Sequence, residues 1–385
     1  MIARELEKQL IDAVEQYPVV FVTGPRQSGK STLLKYLFSD YQYVSLEDLD
    51  NREFARNDPR SFLATYNSKT IIDEAQHVPS LFSYIQTKVD SAGETGMYIL
   101  SGSQNFLLMQ SITQSLAGRV AVFKLLPFSH KELANVGIVQ SVEKEIYRGG
   151  YPRLYDKPIA VNRYYENYIQ TYVERDVRQI KNIGDLSLFV KFIKLCAGRI
   201  GQLMNYSSLA NDCGIAVSTA QSWISLLEAS YIVFLMPPDY VNFSKRLIKS
   251  PKLYFYDTGL ACALLEIKTE KQLNEHYLRG GLFENLVILE KIKALFNNGE
   301  KSNVSFWRDS KGNEVDLIET DGERKKAIEI KSGKTFSADY FKGLRKWQEL
   351  SQTPPDDSCV VYAGDVPRIT QYGKLVPFAN LNNED

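Results

Sequence analysis

The sequence predicts an α/β fold in three modules, and three patterns along the chain support that prediction. Apolar runs alternate with helical patterns over roughly the first 150 residues, which is typical of a parallel sheet with helices on its faces. From about 150 to 265, apolar residues recur at three- and four-residue spacing, as they do on helices. Beyond about 270, short strand-like runs return. We therefore expect modules at 1–150, 151–268 and 269–385.

The first module contains three short apolar runs that predict buried parallel strands. They are Val19–Thr23, Thr70–Ile72 and Met97–Leu100, and they are rich in β-branched and aromatic residues. Helices are expected over 2–16 and over Lys30–Phe38. Each strand is followed by polar residues, and ligands bind beyond the carboxyl ends of strands in such sheets. The functional site is therefore expected at that edge.

The remaining elements follow from the same periodicities. The middle module is expected to contain helices at 162–181, 186–200, 206–213 and 218–229, then a β-rich stretch over 231–256. In the last module, turn signals separate strand-like runs behind a long helix. The helix is Leu282–Phe296, and the runs are Val304–Arg308, Glu314–Glu319 and Lys326–Lys331. A helix over 338–350 and a strand over 358–363 complete the prediction.

The composition is that of a soluble globular protein, with 44% hydrophobic and 24% charged residues. The formal net charge is zero, which argues against a surface that binds nucleic acid everywhere but allows a local basic face. The four cysteines form no C-x-x-C pair, so a reducing compartment is expected rather than disulfides or a zinc ribbon. No signal peptide and no transmembrane stretch are found, so we expect a cytoplasmic protein with no membrane partner.

A phosphate-binding loop is predicted between the first strand and the helix that follows it. The sequence there matches G-x-x-x-x-G-K-S/T, in which the glycines let successive backbone N–H groups point inward. The helix places its positive end at the phosphates. Lys30 is expected to reach the β- and γ-phosphates of ATP, and Ser31 to give its hydroxyl to Mg²⁺. The nucleotide-binding residues are Gly24, Pro25, Arg26, Gln27, Ser28, Gly29, Lys30, Ser31 and Thr32.

Two carboxylates follow the second strand and supply the partner motif of this loop. The sequence reads Ile71-Ile72-Asp73-Glu74, so an apolar strand ends at the mouth of the expected site. Asp73 is expected to hold Mg²⁺, mostly through its waters. Glu74 is expected to orient and deprotonate the attacking water.

Two further residues are candidates for contact with the reacting phosphate. Ser103 follows the third strand and is expected to touch the γ-phosphate or the lytic water, with Asn105 as the next choice. A helix N-cap at Ser103 is an equal alternative. Arg119 is a candidate arginine finger, acting within its own chain or on a neighbour. The alternative is a surface arginine in a turn.

These motifs resemble those of the AAA+ ATPase domain in a large prokaryotic family of ATP-binding proteins, whose C-terminal domain is described only as of unknown function. The resemblance rests on the residues G-P-R-Q-S-G-K-S-T, I-I-D-E-A-Q, L-S-G-S and S-L-A-G-R. It extends over nearly the whole chain through Leu126–Ser129, Gly149–Pro152, Arg175–Val177, Pro251–Gly259 and Glu314–Asp316. It implies ATP and Mg²⁺ as cofactors and a winged-helix-like region in the middle module.

A helix-turn-helix is predicted within the middle module. A short helix over 206–213 ends at Gly214, and a second helix is expected to begin with Ser218 as its cap. Its polar residues would face a DNA groove, and the 231–256 hairpin would act as a wing. The polar residues are Ser218, Thr219, Gln221 and Ser222, and the basic wing residues are Lys245, Arg246, Lys249 and Lys252. The second helix contains no Arg or Lys, so packing against neighbours is the alternative.

The last module contains a second constellation of charged residues, on a predicted helix and two predicted strands. Glu284 lies on the helix, Asp316 on one strand, and Glu329 with Lys331 on the next. Two carboxylates and a lysine can hold Mg²⁺ and activate water against a phosphodiester. The order resembles the PD-(D/E)XK nuclease fold of restriction enzymes and Holliday-junction resolvases, with Val315 where many members have Pro. An exposed hairpin face and an inactive, partner-docking fold are the alternatives.

Together, the motif sets predict an ATP-hydrolysing AAA+ protein that couples ATP to DNA binding or processing. The alternative is an ATP-dependent signalling or scaffolding switch whose C-terminal half docks a protein partner and cuts no DNA. A further alternative is a slow nucleotide switch that forms homo-oligomers, since an arginine acting in trans needs a neighbour.

Overall fold

The computed structural model describes residues 1–103, 115–171, 185–239 and 249–381. Of the residues discussed above, Asn105, Arg175–Val177, Lys245 and Arg246 lie outside these ranges. No helix of the described part is long and apolar enough to cross a membrane.

A five-stranded parallel sheet forms the first module, as expected from its alternating pattern. The strands are β1 (Val19–Thr23), β2 (Gln42–Ser45), β3 (Thr70–Asp73), β4 (Tyr98–Gly102) and β5 (Val120–Lys124). Their order is β2-β3-β4-β1-β5, and every neighbouring pair is parallel. Because all carboxyl ends share one edge, the loops after β1, β3 and β4 meet there. The strand β4 lies between the two strands that carry the phosphate-loop and Asp-Glu motifs.

Helices cover both faces of this sheet. They are α1 (Glu7–Gln16), α2 (Lys30–Leu37), α3 (Leu49–Asn57), α4 (Pro59–Thr65) and α5 (Leu81–Ala92). Side chains alternate along β1, so Val20 and Val22 pack with Leu10 and Leu33 on one face, and Phe21 packs on the other. Burial on both faces explains why β1 is apolar throughout.

The middle module is mainly helical, with one two-stranded antiparallel sheet. Its helices are α8 (Arg153–Asp156), α9 (Val161–Tyr168), α10 (Leu186–Ala197), α11 (Tyr206–Cys213), α12 (Val217–Ala229) and α13 (Thr258–Leu264). Before it, α6 (His130–Ala134) and α7 (Val142–Arg148) end the first module, and after it α14 (Glu270–Glu275) begins the last. Its strands are β6 (Val233–Met236) and β7 (Lys252–Phe255). Gly214 ends α11 with a φ of 83°, which suits the tight turn into α12. The predicted cap at Ser218 is wrong: α12 starts one residue earlier, behind Ala216, which provides no side-chain cap.

The last module is a six-stranded mixed sheet flanked by two long helices. The helices are α15 (Arg279–Asn297) and α16 (Lys342–Ser351). The strands are β8 (Val304–Arg308), β9 (Glu314–Asp321), β10 (Arg324–Lys331), β11 (Ser358–Tyr362), β12 (Arg368–Thr370) and β13 (Gly373–Pro377). Their order is β12-β13-β11-β10-β9-β8, with β9 and β10 joined as the expected antiparallel hairpin.

One hydrophobic cluster continues across the boundaries between the modules. It runs from Leu126, just beyond β5, to Leu381, and it includes buried residues of the middle helices and the C-terminal sheet. The ring of Phe378 lies 5.0 Å from that of His130, so a C-terminal residue packs against α6. The middle and last modules therefore share a core, which Leu126 and Ile146 of the first module join, whereas the first sheet has a separate cluster on each face.

Candidate functional site

The Gly24–Thr32 loop connects β1 to α2 and wraps tightly at the carboxyl edge of the sheet. A Cβ on Gly24 would lie 2.1 Å from the carbonyl oxygen of Leu125, and the φ of Gly29 is 95°. Both positions therefore require glycine. Gln27 has a φ of 63°, an uncommon conformation for a residue with a side chain. Ser28 is buried, and within the described residues its Oγ has no hydrogen-bond partner.

Lys30 is folded back onto the loop that it serves. Its Nζ donates to the carbonyl oxygens of Gly24 at 3.0 Å and Pro25 at 2.9 Å. Burial lowers the pKa of Lys30 to about 8, although Glu74 and Asp73 act in the opposite direction. A phosphate in the loop would supply the negative charge that this buried ammonium lacks.

Asp73 lies at the end of β3 and accepts hydrogen bonds from three hydroxyls. The Oγ of Ser31 and the hydroxyl of Tyr43 each donate to Asp73 Oδ2 at 2.7 Å, and Ser101 donates to Oδ1. Burial opposes ionisation, but these hydrogen bonds outweigh it and hold the pKa of Asp73 below its usual value. A carboxylate next to a serine hydroxyl is a donor set that suits Mg²⁺, so Ser31 and Asp73 fit the predicted metal site. Sequence reasoning missed Tyr43 and Ser101.

Glu74 follows Asp73 and is held by two side chains. Gln76 donates through Nε2 to Glu74 Oε2, and Ser103 Oγ donates to the same oxygen at 3.3 Å. Glu74 has a φ of 54°, which is strained for a residue with a side chain and is typical of functional positions. The structure thus brings Ser103 beside Glu74, at the mouth of the site. The sequence reasoning gave Gln76 no role, although its position two residues after Glu74 keeps the two side chains close together.

A cavity of about 1110 Å³ opens beside the loop, and it is lined by the first and middle modules together. From the loop and its surroundings come Arg26, Gln27, Gly29, Lys30, Ser31, Thr32 and Glu74. Met1, Ile2, Val136 and Ile138 add an apolar wall, and Pro152, Arg153 and Tyr155 approach from the middle module. A cavity with a polar floor and an apolar wall suits a nucleotide with its base on the wall. Sequence reasoning missed this wall, because its residues are far apart in the chain.

Three long-range contacts hold the phosphate loop in place. The Arg4 side chain is buried, and it donates to the carbonyl of Ser28 at 3.0 Å and to Glu132 at 2.9 Å. The hydroxyl of Tyr164, on α9, donates to Gln27 Oε1 at 3.0 Å. The hydroxyl of Tyr231 lies 3.2 Å from Oγ1 of Thr23, which ends β1. The middle module therefore contacts the loop at Gln27, in its middle, and the strand that leads into it at Thr23.

Arg119 lies away from the phosphate loop of its own chain. It immediately precedes β5, and its carbonyl accepts from the N–H of Val19 at the start of β1. Since β1 and β5 are parallel, Arg119 is at the amino edge of the sheet and the loop is at the carboxyl edge. Its guanidinium pairs with Asp90, at 2.5 and 2.9 Å. The structure does not bring Arg119 to the other predicted site residues.

The carboxylates predicted in the last module do come together. The β9–β10 register pairs Leu317 with Ile328, so Asp316 and Glu329 are cross-strand neighbours. Lys331 Nζ lies 2.5 Å from Glu329 Oε1 and 3.8 Å from Asp316 Oδ2. Burial and the nearby Asp316 raise the pKa of Glu329 well above its usual value. Burial also raises the pKa of Glu284 to about 7, against the effect of a neighbouring lysine.

That neighbouring lysine is Lys252, which the sequence placed on or near the wing. It does lie on the hairpin, at the start of β7, but its side chain is 2% exposed and its Nζ lies 2.9 Å from Glu284 Oε1, so it does not face a DNA groove. It also contacts Glu314 Oε1 and lies 3.9 Å from Asp316 Oδ1. Burial disfavours its charge, but these carboxylates outweigh burial and raise the pKa of Lys252. A lysine amid carboxylates is buried because its charge is paired.

The outward face of α12 has no positive charge in the structure. Ser218 and Gln221 are exposed, whereas Thr219 and Ser222 are half-buried. The opposite face packs Trp223 against aromatic rings of α10. Of the four basic residues that the sequence placed on the wing, Lys249 is exposed and Lys252 is buried. The exposed face of α12 is therefore neutral.

Three family models match successive parts of the chain. An AAA domain matches residues 16–134, a domain of unknown function (DUF8612) matches 139–271, and another (DUF4143) matches 279–381. The first match, together with the loop geometry, establishes an AAA-type P-loop ATPase fold for the N-terminal part.

Among curated proteins, the chain is similar to uncharacterized proteins of Mycobacterium tuberculosis and Mycobacterium bovis. Each is 30% identical over 341 residues, which is 87% of this chain and 75% of the relative. An uncharacterized protein of Haemophilus influenzae is 24% identical, covering 76% of this chain and 79% of that protein.

Two solved structures show distant likeness. A Walker-type ATPase of Pyrococcus abyssi has a TM-score of 0.46 at 15% identity, covering 69% of this chain and 96% of that one. A RuvB variant of Thermotoga maritima has a TM-score of 0.33 at 18% identity, covering 61% of this chain and 90% of that one. At these scores the likeness assigns no function.

Proposed function

We propose that this chain, which belongs to the same family as the two mycobacterial proteins, binds ATP with Mg²⁺ and hydrolyses it. The AAA domain in its N-terminal part is the basis of this proposal. The observation that supports this most directly is the 2.7 Å contact between Ser31 Oγ and Asp73 Oδ2, with Lys30 and Glu74 on the same cavity. In this proposal, Lys30 binds the phosphates, Ser31 and Asp73 hold Mg²⁺, and Glu74 takes a proton from water. The bound Mg²⁺ neutralises phosphate charge.

Turnover and binding of ATP by three variants test this proposal. Lys30→Ala is expected to lose ATP binding. Glu74→Gln keeps the size of the side chain but removes the base, so it is expected to bind ATP normally and to lose about 10²–10⁴-fold in turnover. Glu94→Gln, at an exposed turn of the same domain, is the matched control and should match wild type. Undiminished turnover by Lys30→Ala would overturn the assignment.

The nucleotide state is proposed to act on the middle module. Gln27, in the loop, and Thr23, at the end of β1, each contact a tyrosine of that module, Tyr164 and Tyr231. These two contacts connect the phosphate loop and its preceding strand directly to the middle module, so a change in the loop on phosphate binding is proposed to reach that module through them. The chain is thus proposed to be a nucleotide-dependent switch whose output lies in its C-terminal half.

We infer that this output is a protein-docking surface rather than a DNA-binding one. The exposed face of α12 contains neutral residues such as Ser218 and Gln221, and Lys252 is buried. DNA affinity arises mostly from Lys and Arg contacts with phosphates, which this face lacks. DNA coupling is the second candidate, supported by the helix–turn–helix order of α11 and α12 ahead of the β6–β7 hairpin.

Fluorescence anisotropy with duplex and branched DNA separates the two candidates. Binding that weakens at least about tenfold between about 50 and 200 mM salt would favour DNA, because phosphate contacts release counterions. No binding, with ATP turnover unaffected by every DNA, would favour a protein partner. Wild type with and without ATP, and Glu74→Gln with ATP, should be compared so that the ATP-bound state is included.

Homo-oligomer formation is a further part of the proposal, and it concerns Arg119. Its position at the amino edge of the sheet puts its own loop out of reach, so a finger role requires a second copy. Turnover per chain is then expected to rise with protein concentration in wild type and to stay flat in Arg119→Ala. Flat turnover in wild type would leave Arg119 as the surface partner of Asp90.

A further inference from the structure

The carboxylate cluster of the last module contains four acidic side chains from three elements. Glu284 lies on α15, Glu314 and Asp316 on β9, and Glu329 on β10. Asp316 and Glu329 are 8% and 7% exposed, so the cluster is removed from bulk water. Buried carboxylates at this spacing need positive charge, either from a metal ion or from protein side chains.

A strand of a different module brings the main positive charge. Lys252 begins β7, and its Nζ reaches Glu284 Oε1, Glu314 Oε1 and the vicinity of Asp316 Oδ1. Tyr254 follows two residues later on the same face of β7, and its hydroxyl donates to Glu284 Oε1 at 2.5 Å. The ammonium and the phenol therefore converge on the oxygens that would coordinate a metal.

We propose that the Lys252 ammonium takes the place of a divalent metal ion in this cluster, which makes the cluster an ion-pair joint between the middle and C-terminal modules rather than a cleavage site. A Mg²⁺ ion requires oxygen ligands at about 2.0–2.1 Å and a near-octahedral shell. A fixed positive charge 2.9 Å from Glu284 Oε1 competes for that shell and repels the ion. The residues present therefore do not fit a metal.

Several of the remaining carboxylate oxygens have partners within the protein. Asp316 Oδ2 accepts from the N–H of Ile330 at 2.8 Å, and Glu329 Oε1 pairs with Lys331 at 2.5 Å. Glu329 Oε2 is buried against Gly343 of α16 and has no hydrogen-bond partner among the described residues. Arg308 Nη1 pairs with Glu314 Oε2 at 3.0 Å.

Backbone pairing also holds the strand that contains Lys252 in place, which argues that the ion-pair joint is permanent. On one side β7 pairs with β6, where Lys252 lies opposite Met236. On the other side Lys252 bridges to Leu203, and Gly201 N–H donates to the carbonyl of Leu253 at 2.8 Å. Movement of the whole of β7 away from the cluster would break pairing on both sides of the strand.

Manganese binding, followed by electron paramagnetic resonance, tests the proposal. The full chain is used without nucleotide and with Asp73→Asn, so that the proposed Mg²⁺ site beside the phosphate loop does not contribute. This protein is expected to bind no Mn²⁺ that depends on Glu329. Adding Lys252→Met removes the charge while keeping most of the side-chain volume, and Mn²⁺ affinity at the cluster is expected to rise at least about 100-fold.

Two control variants complete the test, together with one outcome that does not depend on whether Lys252→Met folds. Lys252→Arg keeps the positive charge and should bind no Mn²⁺, and Glu329→Gln added to the Lys252→Met protein should abolish the new site. One Mn²⁺ per chain bound with Lys252 intact, and lost in Glu329→Gln, would overturn the proposal whether or not Lys252→Met folds. Glu329-dependent cutting of supercoiled plasmid by wild type would overturn it as well.

Discussion

The hydroxyl of Tyr164 donates a 3.0 Å hydrogen bond to Oε1 of Gln27, and Gln27 has the positive φ of a strained loop residue. One of the side chains that restrain the phosphate loop is therefore supplied by α9, outside the ATPase sheet. Since strained conformations persist only when their surroundings hold them, the loop depends on the middle module for its shape.

Tyr164→Phe is expected to weaken ATP binding about fivefold, because it removes one hydrogen bond worth about 1 kcal/mol from an otherwise preformed loop. A fluorescent ATP analogue in titration measures this change. Tyr147→Phe is the matched control, since the Tyr147 hydroxyl bonds to Asn162 and Lys268, away from the loop. Equal affinities of Tyr164→Phe and wild type would show that the loop holds its shape without this contact.

ATP affinity is expected to fall as the pH rises above about 8. Burial lowers the pKa of Lys30 to about 8 in the free protein, and bound phosphate raises it again because opposite charge favours the ammonium. A group whose pKa is raised by the ligand contributes fully below its free pKa and is lost above it. Affinity should therefore be constant from about pH 7 to 8 and fall up to about tenfold for each further unit. In Lys30→Arg, whose charge persists in this range, the affinity should show no such fall.

Gln76→Ala is expected to lower turnover about tenfold while leaving ATP affinity unchanged. Gln76 orients Glu74, and misplacing a base affects the transition state more than the bound substrate. Steady-state turnover and equilibrium binding separate the two effects. Gln86→Ala, on a helix of the same domain, controls for loss of a glutamine in general. A loss of affinity equal to the loss of turnover would argue that Gln76 acts on ATP binding instead.

Within the first module, the sequence predicted some strands of the sheet and missed others. The strands β1, β3 and β4 were predicted because they are buried runs next to recognisable motifs. The edge strands β2 and β5 were missed: Gln42 and Tyr43 in β2 are exposed, and β5 is only half-buried, so neither shows a fully buried run.

In the candidate sites, too, some contacts of single residues could be predicted from the sequence and others could not. The sequence placed Ser31 and Asp73 at the same edge of the sheet, and the structure brings them into contact, because the motif spacing fixes them at the ends of adjacent elements. The burial of Lys252 could not be predicted, since its acidic partners follow 32 and 62 positions later, at Glu284 and Glu314, and a lysine beside a proline reads as exposed. Such contacts depend on the packing of one module against another.

Arg4→Ala is expected to destabilise the protein by about 3–5 kcal/mol, since it leaves Glu132 buried without its charged partner. The side chains of this pair are 4% and 0% exposed. Chemical denaturation followed by circular dichroism gives the free energy of unfolding. Lys69→Ala, which breaks an exposed pair with Asp40, is the control and should cost about 0–1 kcal/mol. Equal costs for the two substitutions would show that the Arg4 pair is not needed to neutralise Glu132.

The hydrophobic cluster that extends from Leu126 to Leu381 has a consequence for how such a protein can evolve. Cutting the chain between modules would expose apolar side chains, including that of Phe378, which packs on the ring of His130, and would promote aggregation. The C-terminal modules cannot be exchanged for foreign ones unless these faces are matched. New partner preferences in this lineage are therefore expected to arise through substitutions on the outer surface, with the three modules inherited together as one unit.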